Sequence, residues 1–134
     1  MLFRQSHIRL VVFEPIEEVI ILMEKLEQYR EIIRATLLPL TKRQYSDRVV
    51  ENEAVFDEKN DRYLVMSVGW EGRIRRIHGC LAHLDIINGK VWIQRDGTED
   101  GIGYELEAAG IPKSDIVPAF HSESVRPHTG YAVS

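Results

Sequence analysis

The pair Asn88-Gly89 constrains this chain more than any other feature. A two-residue type I′ turn needs positive φ at both positions; asparagine tolerates it, glycine adopts it freely, and the turn's twist matches that of the strands it joins. On its N-terminal side, Arg73 to Ile86 runs without proline and carries Ile74, Ile77, Leu81, Leu84 and Ile86. On its C-terminal side, Val91, Trp92 and Ile93 are strong strand formers. Trp70 to Glu99 therefore reads as a β-hairpin running straight into a helix, and Trp92 is expected to be buried on it. At about 3.3 Å per residue the first strand would reach roughly 43 Å, too long to lie flat in a small domain, which places a bend or bulge at Gly79.

Two more strands precede the hairpin, over residues 49–56 and 62–70, joined by the charged turn Asp57-Glu-Lys-Asn-Asp61. In the second, Leu64, Met66, Val68 and Trp70 alternate with Tyr63, Val65, Ser67 and Gly69, so both faces are apolar. Such a strand calls for helices on one face, and for the chain's own termini or a second subunit on the other.

The helical signal runs from Pro15, suited to a first turn, to about Leu38, where Pro39 disfavours further helix. Leu22, Leu26, Tyr29 and Ile33 form its apolar seam, which packs on the chain's own sheet or on another subunit's helix. Ahead of it, Ile8 to Phe13 reads as a short strand, while Ile16 to Met23 is too short and too charged to span a membrane. A second helix is expected over residues 99–109. Thr98 would be its cap, Glu99 and Asp100 its first turn, Ile102, Leu106 and Ala109 its apolar face, and Gly110 its C′ residue. The tail reads as a turn at Pro112 to Asp115 and extended segments over 117–121 and 130–133. The class is α+β: an antiparallel sheet built around a long hairpin, packed with an N-terminal helix and a shorter second one. Its nonpolar surface exceeds what one chain readily covers, so a homodimer, or a dimer of dimers, is expected.

With 134 residues and 44% hydrophobic content, the chain supports one domain with a true core. Seventeen basic residues against 21 acidic ones give a net charge of -4, so direct contact with DNA would need a local patch. Arg73, Arg75 and Arg76 beside Trp70 are the one concentrated candidate, although they also read as the solvated start of a strand, paired with Glu71. Lys42, Arg43, Tyr45 and Arg48 read as loop residues in solvent. The single cysteine, Cys80, excludes an internal disulfide framework and a four-cysteine zinc site, and suits a reducing cytoplasm.

His83 and Asp85 stand two apart on a strand and share a face, so Asp96, Glu99 and His121 from nearby elements would complete a zinc or manganese ligand set. Asp96 and Glu99 are equally explained by helix capping, and no compact ligand motif such as HExxH is present. A metal-dependent nuclease core would use Asp85 with Ile93-Gln94-Arg95, but Asp96 stands where its lysine is needed. Cys80 shares a face with His78 and, by strand parity, not with His83; core packing is its ordinary role. Gly101-Ile-Gly103 lacks the rest of a phosphate-loop fingerprint.

A longer pattern joins these fragments. Trp70, Arg76-Ile-His78-Gly79, His83-Leu-Asp85-Ile, Gly89-Lys-Val-Trp92-Ile-Gln94 and Asp96-Gly-Thr98-Glu99 follow in order, then Gly110-Ile-Pro-Lys, Asp115-Ile-Val, Ala119-Phe-His121 and Thr129-Gly130-Tyr-Ala-Val. With Met23-Glu-Lys-Leu-Glu-Gln-Tyr-Arg at its start, the series resembles the XisI family, the fdxN-element excision controlling factors of cyanobacteria. The resemblance implies a non-enzymatic accessory protein of DNA rearrangement that binds a nuclease-like XisH partner, touches DNA indirectly, and has neither catalytic residues nor a cofactor. It covers residues 23–134 as a single domain and leaves residues 1–22 as an N-terminal extension, an upstream start poorly ordered in the fold or dispensable to it.

Overall fold

The computed structural model describes residues 2–134, with side chains from Pro15 onward. Helix α1 (Leu2–Leu37) passes through a 3₁₀ turn (Leu38–Lys42) into strands β1 (Val49–Asp57), β2 (Arg62–Glu71), β3 (Arg75–Ile87) and β4 (Lys90–Asp96). Helix α2 (Ile102–Ala108) and the two-residue strand β5 (Ile116–Val117) follow. The strands form one sheet in the order β1-β2-β3-β4-β5, antiparallel except that β5 runs parallel to β4. The α+β class is as the sequence implies. The parallel fifth strand is new: two residues carry no periodicity to read.

Side-chain alternation sorts the sheet into two faces. On β1 to β4 the buried residues Tyr63, Val65, Ala82, Leu84, Val91 and Ile93 pack in one core with Tyr29, Ile33 and Leu37 of α1 and Ile102 and Leu106 of α2, and the buried Asn52, on the same face, donates to the Leu40 carbonyl and the Tyr45 hydroxyl. The expected seam of α1 is thus split. Tyr29 and Ile33 are buried on the chain's own sheet, whereas Leu22 is exposed along with Ile16, Val19 and Ile20. The strand expected at Ile8 to Phe13 is instead part of α1, and Pro15 lies inside the helix rather than in its first turn. Pro39 acts as expected, the α-helix closing at Leu37.

Ion pairs clamp α1 to the strands. Arg30 donates twice to Asp61, at 2.8 and 3.1 Å, and Tyr63 donates to the same carboxylate at 2.9 Å. Lys25 lies 2.8 Å from Asp115, which also accepts from the Tyr29 hydroxyl. Burial opposes ionisation of both carboxyls, yet the Arg30 and Tyr63 donors on Asp61, and the Lys25 and Tyr29 donors on Asp115, hold them below the usual carboxylate range.

The hairpin turn is as read, with Asn88 at φ 50° and Gly89 at φ 76°. The irregularity of the long strand is not at Gly79, which pairs regularly with Ser67. It is at Leu81, which the pairings Val65 with Ala82 and Met66 with Cys80 leave out. A matching shift on β4 skips Gln94. Helix α2 also begins later than expected. Asp96, not Thr98, acts as the cap, accepting from the Thr98 amide at 2.9 Å and the Ile102 amide at 2.7 Å. Gly101 at φ 87° starts the helix, so Glu99 and Asp100 lie before its first turn, and Ala109 is exposed rather than part of the apolar face.

Candidate functional site

The bulges decide what the outer sheet face carries. Leu81 and Ala82 both turn inward, and Gln94 and Arg95 both turn outward. The outer row of β3 is consequently Arg76, His78, Cys80, His83 and Asp85, paired with Trp70, Val68, Met66, Leu64 and Arg62 of β2. Parity alone put Cys80 and His83 on opposite faces; the extra residue at Leu81 brings them to the same one. Six of the residues that carry the family resemblance, Trp70, His78, His83, Asp85, Trp92 and Gln94, therefore share a face on which no residue of β1 to β4 is buried. Trp92, expected in the core, is only half-buried there.

These side chains are paired with one another. His83 Nε2 lies 2.8 Å from Asp85 Oδ1, the ring N–H donating to the carboxylate, and Gln94 Nε2 donates to Asp85 Oδ2 at 3.2 Å. Beside them the Arg126 guanidinium sits 5.7 Å from the centre of the Trp92 ring, and Arg126 donates to the carbonyls of His121, Ala119 and Val133. Arg126 thus ties the C-terminal tail over the β4–β5 end of the face. Nothing in the sequence marks it, since a single arginine in an irregular tail has no pattern to betray it. At the other end Arg76 stands 5.1 Å from the Trp70 ring and Arg75 pairs with Glu71 at 3.6 Å, while Arg73 is exposed and has no ion-pair partner among the described residues.

The five residues considered as metal ligands are divided between two places. His83 and Asp85 are on the outer face. Asp96 pairs across from the inward-facing Ala82, and with His121 it lines a separate cavity of about 290 Å³ walled by Ile93, Tyr104, Phe120 and Tyr131. Glu99 is exposed and borders neither. Among the described residues no group of three or more His, Cys, Asp or Glu converges as a metal site would require. Burial pushes the Cys80 thiol up, outweighing the Ala82 backbone and the nearby Arg95 charge, and so disfavours the nucleophilic thiolate. In the cavity, burial and the bond to Glu107 raise the Tyr131 hydroxyl to about 12.

Gly89 and Gly130 serve the backbone, at φ 76° and 82°. Gly97 lets the chain pass close to the bulge. Gly79, in contrast, has open space where a Cβ would be, so no packing demand explains it. Among the described residues no helix is long and apolar enough to cross a membrane.

The geometry agrees with what comparison finds. The chain is similar to a XisI-like protein from Anabaena variabilis ATCC 29413, at 34% identity over 81% of this chain and 99% of that one, with a TM-score of 0.73. It is equally similar to the fdxN element excision controlling factor XisI from the same organism, at 35% identity over 82% of this chain and 99% of that one, with a TM-score of 0.70. No curated protein matches it. The family profile described as XisI protein matches residues 23–133, which takes in every strand and the His83, Asp85 and Gln94 cluster of the outer face, and the chain therefore belongs to the XisI family.

Proposed function

We propose that this chain is a non-enzymatic controlling factor for excision of a DNA element, acting in a reducing cytoplasm by binding a nuclease-like partner of the XisH type. One observation carries the reading. Polar and aromatic side chains of the family resemblance form an accessible cluster outside the core, the Asp85 carboxylate held by His83 and Gln94 next to Trp92 under Arg126. A half-buried tryptophan beside an arginine and a fixed carboxylate is the composition of a protein-binding hot spot. The net charge of -4 suits docking on a basic, DNA-binding protein, with contact to DNA made through that partner.

The test is co-expression with the product of an adjacent nuclease-like reading frame. A stoichiometric complex is expected, lost in Asp85→Ala and Trp92→Ala variants that remain folded. Plasmid nicking by this chain alone with Mg or Mn, together with about one equivalent of bound metal that disappears in His83→Ala, would replace this reading with the metal-dependent enzyme.

A further inference from the structure

We infer that the cavity between β4, α2 and the C-terminal tail binds a small molecule, an uncharged planar heteroaromatic ring that donates one N–H hydrogen bond. The inference rests on the lining of that cavity and not on the excision reading.

The volume of about 290 Å³ is at the small end of pockets that hold organic ligands, about 300–1,000 Å³. Ile93, Ile116 and Pro118, all buried, give it an apolar floor. Its walls are rings. Tyr104 and Tyr131 stand edge to face, 6.4 Å between centres and 72° between planes, and Phe120 lies against His121 at 4.4 Å. Core packing does not account for two of these, since Tyr104 is 68% and Phe120 47% exposed. The outer-face cluster does not use them either, although Asp96, Phe120, His121, Thr129 and Tyr131 all belong to the series that carries the family resemblance.

Two glycines shape the space. At Gly101 a Cβ would come within 2.9 Å of the Tyr104 ring, so glycine lets that ring fold back on the chain. At Gly103, inside α2, a Cβ would lie 3.5 Å from the Tyr131 hydroxyl oxygen and 3.6 Å from Ile93 Cδ1, which are ordinary contacts. Alanine would fit there, and a helix favours it over glycine. What the glycine leaves is open volume between two lining residues.

The polar groups select the ligand. Asp96 Oδ1 accepts from the Thr98 amide and hydroxyl, whereas Oδ2 accepts only from the Ile102 amide and keeps one acceptor position. These three donors already stabilise the carboxylate, so the ligand need not be a cation. The Thr129 and Tyr131 hydroxyls are spent as donors on the Arg126 carbonyl and on Glu107. Among the described residues no lysine or arginine lines the cavity. Lys113 stands over the Tyr131 ring but pairs with Glu107 at 3.8 Å, and Arg126 lies over Trp92. An anion would therefore meet Asp96 with nothing to balance it. A neutral flat ring stacks on the aromatic walls and gives its N–H to Asp96 Oδ2.

Amide shifts of the full chain, followed by NMR during titration with indole, should saturate with a Kd of about 1 mM or tighter. They should be largest at Gly101, Gly103, Tyr104 and His121. Benzofuran has the same shape without the N–H and should bind roughly threefold or more weakly, because Asp96 is left without its donor. Indole-3-carboxylate should bind roughly tenfold or more weakly than indole, since its charge has no partner. Gly103→Leu fills the cavity and should abolish binding with an unchanged or higher melting temperature; should it fail to fold, Gly103→Ala should keep the fold and weaken indole roughly threefold. Phe120→Ala, at an exposed position, should weaken it roughly fivefold or more. N-acetyltryptophanamide, which carries the ring on a peptide backbone, should bind no more tightly than indole. No saturable shift, or binding that survives the Gly103 and Phe120 variants, overturns the site. Equal binding of benzofuran or of indole-3-carboxylate overturns the ligand class, and tighter binding of N-acetyltryptophanamide overturns the small molecule in favour of a tryptophan side chain from another protein.

Discussion

The Gly97 amide donates to the Leu81 carbonyl at 2.8 Å, and this bond holds the bulge that brings Cys80, His83 and Asp85 onto one face. A Cβ at Gly97 would lie 2.9 Å from the same carbonyl oxygen, and one at Gly69 would lie 2.0 Å from the Val49 carbonyl oxygen. In both cases the obstacle is backbone, which cannot turn aside.

Gly97→Ala is accordingly expected to cost about 1–3 kcal/mol, and Gly69→Ala about 3 kcal/mol or more, with Gly79→Ala, facing open space, near neutral. Urea melts of the three variants give the order directly.

Trp92 lies half-buried on the outer face under Arg126. Its replacement by alanine should cost about 1–2 kcal/mol, less than the 3–5 kcal/mol typical of a core aromatic and less than Leu84→Ala, a fully buried site expected to lose about 2–5 kcal/mol. Equal losses in parallel melts would place Trp92 in the core after all.

Asp61 and Asp115 tie α1 to the strands, and both carboxyls lie lower in the folded chain than in the unfolded one. Between the two values the unfolded state binds more protons, so stability rises with pH there. Their contribution is complete above the unfolded value near 4 and is lost as pH falls through the folded values. The melting temperature should therefore drop below about pH 4. Asp61→Asn and Asp115→Asn should each lower stability by about 1–3 kcal/mol at pH 7 and flatten the acid limb.

A chain that begins at Met23 keeps Tyr29, Ile33, Leu37 and the Lys25 and Arg30 clamps, and lacks the exposed apolar residues Ile16, Val19, Ile20, Ile21 and Leu22. It should fold cooperatively, with a melting temperature within about 5 °C of the full chain, roughly 1 kcal/mol for a domain of this size. Scanning calorimetry would show a larger fall if residues 1–22 belong to the cooperative unit.

The elements whose cues are local could be read from the residues in order. Asn88-Gly89 made the hairpin, Pro39 ended α1, the charged turn from Asp57 to Asp61 parted β1 from β2, and alternation marked the two faces of β2, because turn geometry and side-chain parity are properties of neighbours along the chain. Tertiary structure decided what depends on partners distant in sequence. Asp96 captured the Ile102 amide and moved the start of α2, and β5 exists only because β4 offered it an edge. Leu81 took the bulge that Gly79 was expected to take, since Leu81 both reaches the core and has Gly97 to receive its carbonyl. One extra residue inverts parity beyond it, so the company that His83 and Asp85 keep was set by a contact sixteen residues away and not by their own spacing.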